Sequence, residues 1–275
     1  MRNKTEVKIL SIIMIFSILF FSACNIDENN KKPYGVFIGA GPDSIEKMKN
    51  YELIVVDASN FSDTDIAKIH SNGQRVYSYL NIGSIESFRP YYDEFKSITM
   101  GNYENWSEER WIDVSDSRWK KFIIEDIAGS YIDKKIDGFF VDNIDVWYEY
   151  PSSEIYEGIL NILYELNKLG LPIIINGGDS FMREAVKSDE IYKIVDGVNQ
   201  ECVLTSIDFE NDRLCERNNI EEINYFKEYL SICKNFGMKV YVLEYSTDKN
   251  IKNKIKQWCE NENYLYYISE LIELL

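Results

Sequence analysis

Histidine is nearly absent from this chain of 275 residues, where His70 is the only one. That excludes a multi-histidine metal centre and strains any Ser–His–Asp or Cys–His arrangement, because His70 falls inside a predicted helix and reads as a surface residue of it. The five cysteines show no close paired spacing, which argues against a zinc site. Disulfides are compatible with an oxidising compartment but spacing does not assign them, and Cys202, in a predicted strand, reads as a buried free thiol. No Gly-x-Gly-x-x-Gly follows the first strand. Gly39-Ala40-Gly41-Pro42 is a tight turn whose proline removes an amide that a phosphate cradle would use. Positive charge is also short, with 30 Lys and Arg against 46 Asp and Glu and a net charge of −16. Such a chain repels nucleic acid and favours cationic partners. Carboxylates are the acid–base groups left in quantity.

The N-terminus has the three parts of an export signal. Arg2, Lys4 and Lys8 are basic, Ile9 to Phe21 is apolar apart from Ser11 and Ser17, and Phe21-Ser22-Ala23-Cys24 follows. The apolar run is short for a membrane span. Small residues before Cys24 resemble a bacterial lipobox, with Phe21 where Leu is usual, and imply that residues 1–23 are removed and Cys24 is lipidated. The alternatives are an ordinary cleaved signal, which gives a secreted protein, and an uncleaved anchor. Residues 24–33 read as a polar tether. Because residues 1–23 carry three basic groups and one acid, the mature chain is near −18.

Residues 34–275 suit one large domain. Apolar runs predict strands at Tyr34–Ala40, Leu53–Ala58, Arg75–Leu80, Gly138–Asp142, Pro172–Asn176, Gly197–Glu201, Lys239–Glu244 and Tyr264–Ile268. Helical patterns lie between most of them. Ser62–Asn72 opens on Ser-x-x-Asp and stops at Gly73, residues 154–169 stop at Gly170, and residues 220–236 stop at Gly237. Strand, helix, glycine, strand is the unit of a parallel sheet, and eight units predict an α/β fold, a single (β/α)8 TIM barrel. A doubly wound open sheet is the runner-up. One connection, Asn81 to Lys135, is long and carries Tyr91, Tyr92, Tyr103, Trp106, Trp111 and Trp119. These rings either wall a sugar-binding pocket or hold the loop down as a satellite core.

Asp142 and Glu201 close the fourth and sixth predicted strands. In a parallel α/β protein ligands bind at that end, and two acids from different strands are the minimum equipment for cleaving a glycosidic bond. Alternation places Asp142 with Phe140 and Gly138, and Glu201 with Asn199 and Gly197. Asp57 and Glu244 also end strands. Asn81, Ser84, Asn143, Asp145, Asn176 and Tyr245 gather at the same rim, where they suit sugar hydroxyls or serve as turn chemistry.

The motifs Tyr34-Gly35-Val36-Phe37-Ile38-Gly39, Val55-Val56-Asp57, Val76-Tyr77-Ser78-Tyr79-Leu80-Asn81-Ile82-Gly83, Trp111-Ile112-Asp113-Val114, Gly138-Phe139-Phe140-Val141-Asp142-Asn143 and Asn199-Gln200-Glu201 occur in this order. In combination they resemble the glycoside hydrolase family 114 barrels, relatives of endo-α-1,4-polygalactosaminidase. The resemblance implies a (β/α)8 fold, no cofactor, hydrolysis of α-1,4-linked galactosamine polymers, and catalysis by Asp142 and Glu201. Similarity to α-galactosidase-type barrels implies Asp142 as nucleophile and Glu201 as proton donor. Asp57, Tyr79, Asn81, Asp113, Asn143, Asn176, Glu244 and Tyr245 are the candidate substrate contacts. The expected partners are a polysaccharide, cationic if it is an amino-sugar polymer, and a membrane reached through the lipid on Cys24. A non-catalytic carbohydrate-binding lipoprotein on the same barrel is the alternative, and a metal-dependent deacetylase is disfavoured by the single histidine.

Overall fold

The computed structural model describes residues 31–104, 106–188 and 190–275. The expected signal, Cys24 and nearly all of the tether lie outside them. Eight strands form one sheet in sequential order: β1 (Lys32–Phe37), β2 (Tyr51–Val56), β3 (Arg75–Asn81), β4 (Gly138–Asp142), β5 (Ile173–Asn176), β6 (Gly197–Glu201), β7 (Lys239–Tyr245) and β8 (Leu265–Ser269). Register is parallel from β2 through β8, with Asn81 opposite Asp142 and Asn176 opposite Asn199. Across the seam, Tyr267 of β8 packs on Phe37 of β1 and Tyr51 of β2, with ring centroids 5.3 and 5.8 Å apart. The fold is the (β/α)8 barrel expected from the alternation of elements.

Both faces of the strands are apolar, as a parallel sheet covered by helices requires. Phe139, Val141, Val198 and Val242 join the large core beneath the helices, while Tyr34, Val55, Tyr77, Phe140, Tyr241 and Leu243 fill the barrel. The large rings fit because β4 and β6 each begin with glycine. A Cβ on Gly138 or Gly197 would strike the ring of Tyr77 or Tyr241. The four longest helices start from side-chain caps. Ser62 and Asp65 form a capping box for Asp63–Ser71, Ser152 accepts from the Ile155 amide at the head of Ser153–Lys168, and Asn219 caps Ile220–Asn235. The last helix, Lys249–Glu262, starts at Asp248 and ends at Asn263.

The first two strands differ most from the sequence reading, and the other boundaries agree within one residue. β1 ends at Phe37 because the Gly39–Pro42 turn follows, and β2 begins at Tyr51 and ends at Val56. Asp57 is already outside β2, where its carboxylate accepts from the Ser59 amide and starts a 3-10 turn. The long connection after β3 has its own fold. Ser84–Glu86, Thr99–Asn102 and Glu109–Ile112 make a small antiparallel sheet, followed by helical segments Ser117–Lys121, Phe122–Ala128 and Gly129–Asp133. Trp111 and Trp119 are buried in the core, the Trp119 indole donating to the Ile82 carbonyl at 2.8 Å. Tyr91 packs on Phe122, and Tyr91 and Tyr92 both lie against the core. Most of the clustered aromatics therefore hold the excursion down.

The start of this excursion is pressed onto the loop after β4. A Cβ on Gly83 would overlap the backbone carbonyl of Asn143, the residue after Asp142. Overpacking of this kind costs roughly 1–3 kcal/mol and displaces backbone. Gly83→Ala should lower the melting temperature by several degrees; an unchanged melting curve would show that the two loops separate freely.

Candidate active site

The C-terminal ends of the barrel strands open into a cleft of about 690 Å³. At its centre, the Asn176 side-chain nitrogen donates to Asp142 Oδ1 and to Glu201 Oε1, each at 2.8 Å. One nitrogen thus touches a carboxylate oxygen of each acid, which places those two oxygens within twice 2.8 Å of one another. Tyr245 donates its hydroxyl to the other oxygen of Glu201 at 2.6 Å. Asn176, in turn, accepts at its carbonyl oxygen from Asn199 at 2.7 Å, and Asn199 accepts from the Tyr34 hydroxyl at 3.1 Å.

Three adjacent strands deliver these groups in the same way. Asp142, Asn176 and Glu201 are the last residues of β4, β5 and β6 and point into the barrel. The residue after each is left-handed: Asn143 at φ 64°, Gly177 at 64° and Cys202 at 56°. Glycine and asparagine tolerate that region; a left-handed cysteine is strained and must be held. Cys202 is held at both ends, its amide donating to the Leu243 carbonyl at 2.9 Å and its carbonyl accepting from the Arg217 guanidinium at 2.9 Å.

Burial and the neighbouring Glu201 push Asp142 up to about 8, against donors that include Asn176. Burial also raises Glu201, against the Tyr245 and Asn176 donors. Two carboxylates this close share one proton near neutrality and titrate as a pair. Beyond them the cleft wall is acidic, with Asp57, Glu86, Glu108, Glu109, Asp145 and Glu273; among the described residues that line it, Arg89 is the one cation. Arg89 is engaged already, donating to Asp57 at 2.9 Å and to Glu86 at 3.1 Å. Phe88, Trp106 and Phe209 are exposed at the mouth, and Trp106 meets Phe209 edge-on at 5.9 Å between centroids.

Of the residues singled out from sequence, Asp142, Glu201, Asp57, Tyr79, Asn143, Asn176 and Tyr245 line this cleft. Asn81 lies beneath it, buried, donating to Glu109 at 3.0 Å. Two are elsewhere. Asp113 turns back on Ser115, accepting from its amide at 3.0 Å, and borders a separate surface depression with Met100 and Glu149. Glu244 points to the outer side of β7, fully buried, where it accepts from the Leu204 and Thr205 amides at 2.7 and 2.9 Å and anchors the loop after β6. Neither reaches the cleft. His70 lies on its helix and contacts Asp137, just before β4, at 2.9 Å.

The sequence reading passed over Glu109, Glu86, Arg89 and the role of Asn199. Glu109 is buried and accepts from Asn81, Ser84 and, at 2.8 Å, Asn143. Tyr103, stacked on Trp111, donates to Asn143 Oδ1 at 3.2 Å. The excursion after β3 thus grips the residue following Asp142 from two sides. Asn199 carried a visible signal, since it shares a strand face with Glu201; Glu109 carried none.

A two-carboxylate cleft at the C-terminal rim of a (β/α)8 barrel defines a class of sugar-cleaving enzymes. Residues 29–272 match the sequence profile of Glycoside-hydrolase family GH114, and the chain belongs to that family. It is a glycosidase. None of the curated protein sequences matches it significantly. Among solved structures it is similar to the glycoside hydrolase domain of PelA from Pseudomonas aeruginosa, at TM-score 0.74 and 14% identity over 89% of this chain and 95% of that one. Ega3 of Aspergillus fumigatus, solved in complex with galactosamine, aligns at TM-score 0.65 and 16% identity over 89% and 92%. Trehalose-6-phosphate hydrolase of Bacillus licheniformis aligns at TM-score 0.54 and 10% identity over 78% and 57%. At these identities the structural likeness speaks for the fold.

The raised acid pair has a stability consequence. A carboxyl whose folded-state pKa lies above its unfolded value binds its proton more tightly when folded, so it loses stability for the fold as pH rises from the ordinary carboxylate range towards 8. Asp142→Asn removes that loss. The variant should melt a few degrees above wild type at pH 8 and near it at pH 4; roughly 2–4 °C accompanies each kcal/mol in a domain of this size. Equal melting temperatures at pH 8 would mean that Asp142 ionises there without penalty.

Proposed function

We propose that this glycosidase cleaves an α-linked galactosamine-type polysaccharide, within the chain, by a retaining mechanism in which Asp142 is the nucleophile and Glu201 the acid–base. The observation that carries the reading is the single Asn176 nitrogen 2.8 Å from both acids. Retaining glycosidases hold their carboxyl groups roughly 5–5.5 Å apart, whereas inverting ones leave about 6.5–9.5 Å for a water between them. Nearest carboxylate oxygens within twice 2.8 Å of one another support the first group. In the first step an Asp142 oxygen bonds to the anomeric carbon as the glycosidic C–O bond breaks, and the Glu201 proton passes to the leaving oxygen. In the second, Glu201 takes a proton from water, whose oxygen bonds to the anomeric carbon and releases Asp142. At rest the pair holds its proton in common. The reactive form has it on Glu201, a redistribution within the pair that the arriving leaving oxygen drives by accepting from Glu201.

The cleft wall supports the substrate class. Excess carboxylates around the central pair attract ammonium groups and would repel a uronic acid polymer. The exposed Trp106, Phe209 and Phe88 offer apolar faces to sugar rings at the mouth. That Ega3 was solved with galactosamine agrees with this reading.

Reducing-end release from a panel of amino-sugar polymers should be highest on partly or fully deacetylated α-1,4-galactosaminan, with the α-anomer formed first by proton NMR. Asp142→Asn and Glu201→Gln should each lose at least about 10²–10⁴-fold, the scale of acid–base assistance alone. Azide should rescue Glu201→Ala to give the α-glycosyl azide and Asp142→Ala to give the β-azide. The opposite pairing would exchange the two roles. No hydrolysis of any polymer by a folded wild type would favour a carbohydrate-binding protein on a retained barrel.

Export and anchoring through Cys24 complete the proposal and rest on the basic, apolar and small-residue pattern of residues 2–24. Expressed with its own N-terminus in a bacterium, the chain should incorporate palmitate and sediment with membranes, and Cys24→Ala should abolish both. An unlabelled wild type free in the medium would indicate plain secretion.

A further inference from the structure

The acid pair is served by a directed chain of hydrogen bonds that starts in the barrel interior beneath the cleft. Tyr34 of β1 donates to Asn199 Oδ1, Asn199 Nδ2 donates to Asn176 Oδ1, and Asn176 Nδ2 donates to both Asp142 and Glu201. Tyr34 and Asn199 are fully buried. Neither lines the cleft.

The direction of each amide follows from its neighbours. Were Asn176 turned over, its carbonyl oxygen would face two carboxylate oxygens and its NH2 would face that of Asn199. Were Asn199 turned over, its NH2 would meet the Tyr34 hydroxyl and its oxygen the Asn176 oxygen. The Tyr34 hydroxyl, 3.1 Å from Asn199 Oδ1, at one end and the two carboxylate acceptors at the other therefore fix both amides between them.

We propose that Tyr34 and Asn199 are positioning residues for catalysis, acting through Asn176 to aim one N–H at each carboxylate. The proposal rests on the glycosidase reading for its purpose. During a retaining cycle negative charge moves from Asp142 to Glu201 and back. A single NH2 group bonded to both acids stabilises whichever is ionised without having to move, so the environment is preorganised for both steps. A donor to a carboxylate favours the charged form, and Asn176 acts downward on both acids. Loosening it should therefore raise the pair's titration.

The other titratable groups facing the pair are Tyr79 from β3, Tyr103 and Glu109 from the excursion, Asp145 after β4, Tyr245 from β7 and Cys202 after β6. None contacts Tyr34 or Asn199 through a side-chain hydrogen bond in this chain of donors, so both can be altered with those groups in place.

The experiment is a carbon-13 NMR titration of side-chain carboxyls in Asp- and Glu-labelled protein, with the pair assigned by Asp142→Asn and Glu201→Gln. Tyr34→Phe keeps the ring and removes only the hydroxyl; Asn199→Leu keeps the volume and removes both links. In each, the pair should titrate at higher pH than in wild type. On α-1,4-galactosaminan the acid limb of kcat/KM should move the same way, with kcat lowered about 10- to 100-fold in Asn199→Leu, the scale of Asn176 losing one bond to a charged carboxylate when it is no longer aimed, and KM nearly unchanged. Asn199→Gln should recover part of the loss. Unmoved titration in folded Tyr34→Phe and Asn199→Leu would overturn the proposal, whatever their melting temperatures. The carboxyl titration needs no substrate. If it moves while wild type cleaves no polymer, the positioning chain stands and the proposed substrate and mechanism fall.

Discussion

Asp142 and Glu201 are brought to one amide nitrogen, and most of the rim can be understood as the means of keeping them there. Two carboxylates facing the interior of a barrel repel each other and resist burial, so left alone they would turn to solvent or separate. Asn176 gives each a hydrogen bond at 2.8 Å, Tyr245 gives Glu201 another, and a shared proton removes one charge. The arrangement is costly for the fold and useful for chemistry. Its cost shows in the upward displacement of both acids, and in the proposed mechanism its use is that one acid donates a proton while the other attacks.

The barrel supplies the rigidity that such a pair demands. β4, β5 and β6 are hydrogen-bonded neighbours; the register that pairs Val141 with Ile175 brings Asp142 level with Asn176, and Glu201 lies two residues beyond Asn199, the partner of Asn176, on the same face. The left-handed residue after each strand turns the chain away at once and leaves the terminal side chain at the rim. Backing comes from two directions. Glu109 and Tyr103, from the folded excursion after β3, hold Asn143, and Arg217 holds the carbonyl of Cys202. Glu244, though no part of the cleft, anchors the Leu204–Thr205 backbone on the same side as Glu201. Groups well outside contact range of substrate therefore share in its precision.

Much of this was legible in the sequence, for local reasons. Capping residues and glycine stops delimit the helices, and the acids at the ends of β4 and β6 are visible as polar ends to apolar runs. Alternation correctly put Asp142 with Phe140 and Glu201 with Asn199. It could not orient Glu244, because both faces of β7 are apolar and the strand shows no polar side from which to count. Asp113 sat in a family-like motif whose other members, Trp111, Ile112 and Val114, are core, and its own turn with Ser115 keeps it from the cleft. Glu109 was illegible for a different reason. It reaches the cleft only through the pairing of Glu109–Ile112 with strands earlier in the excursion, contacts that no local pattern announces. The aromatic content of the excursion likewise did not reveal that Trp111 and Trp119 are core while Trp106 faces the cleft.

The central claim is that Asp142 forms a bond to the sugar. It is tested most directly by trapping that bond with a 5-fluoro-α-galactosaminyl fluoride, whose fluoride leaves readily while the ring fluorine slows release of the intermediate. Intact-mass spectrometry should show one added glycosyl group, and peptide mapping should place it on Asp142. An adduct on Glu201, or turnover to a β-configured product with no adduct at all, would contradict the account.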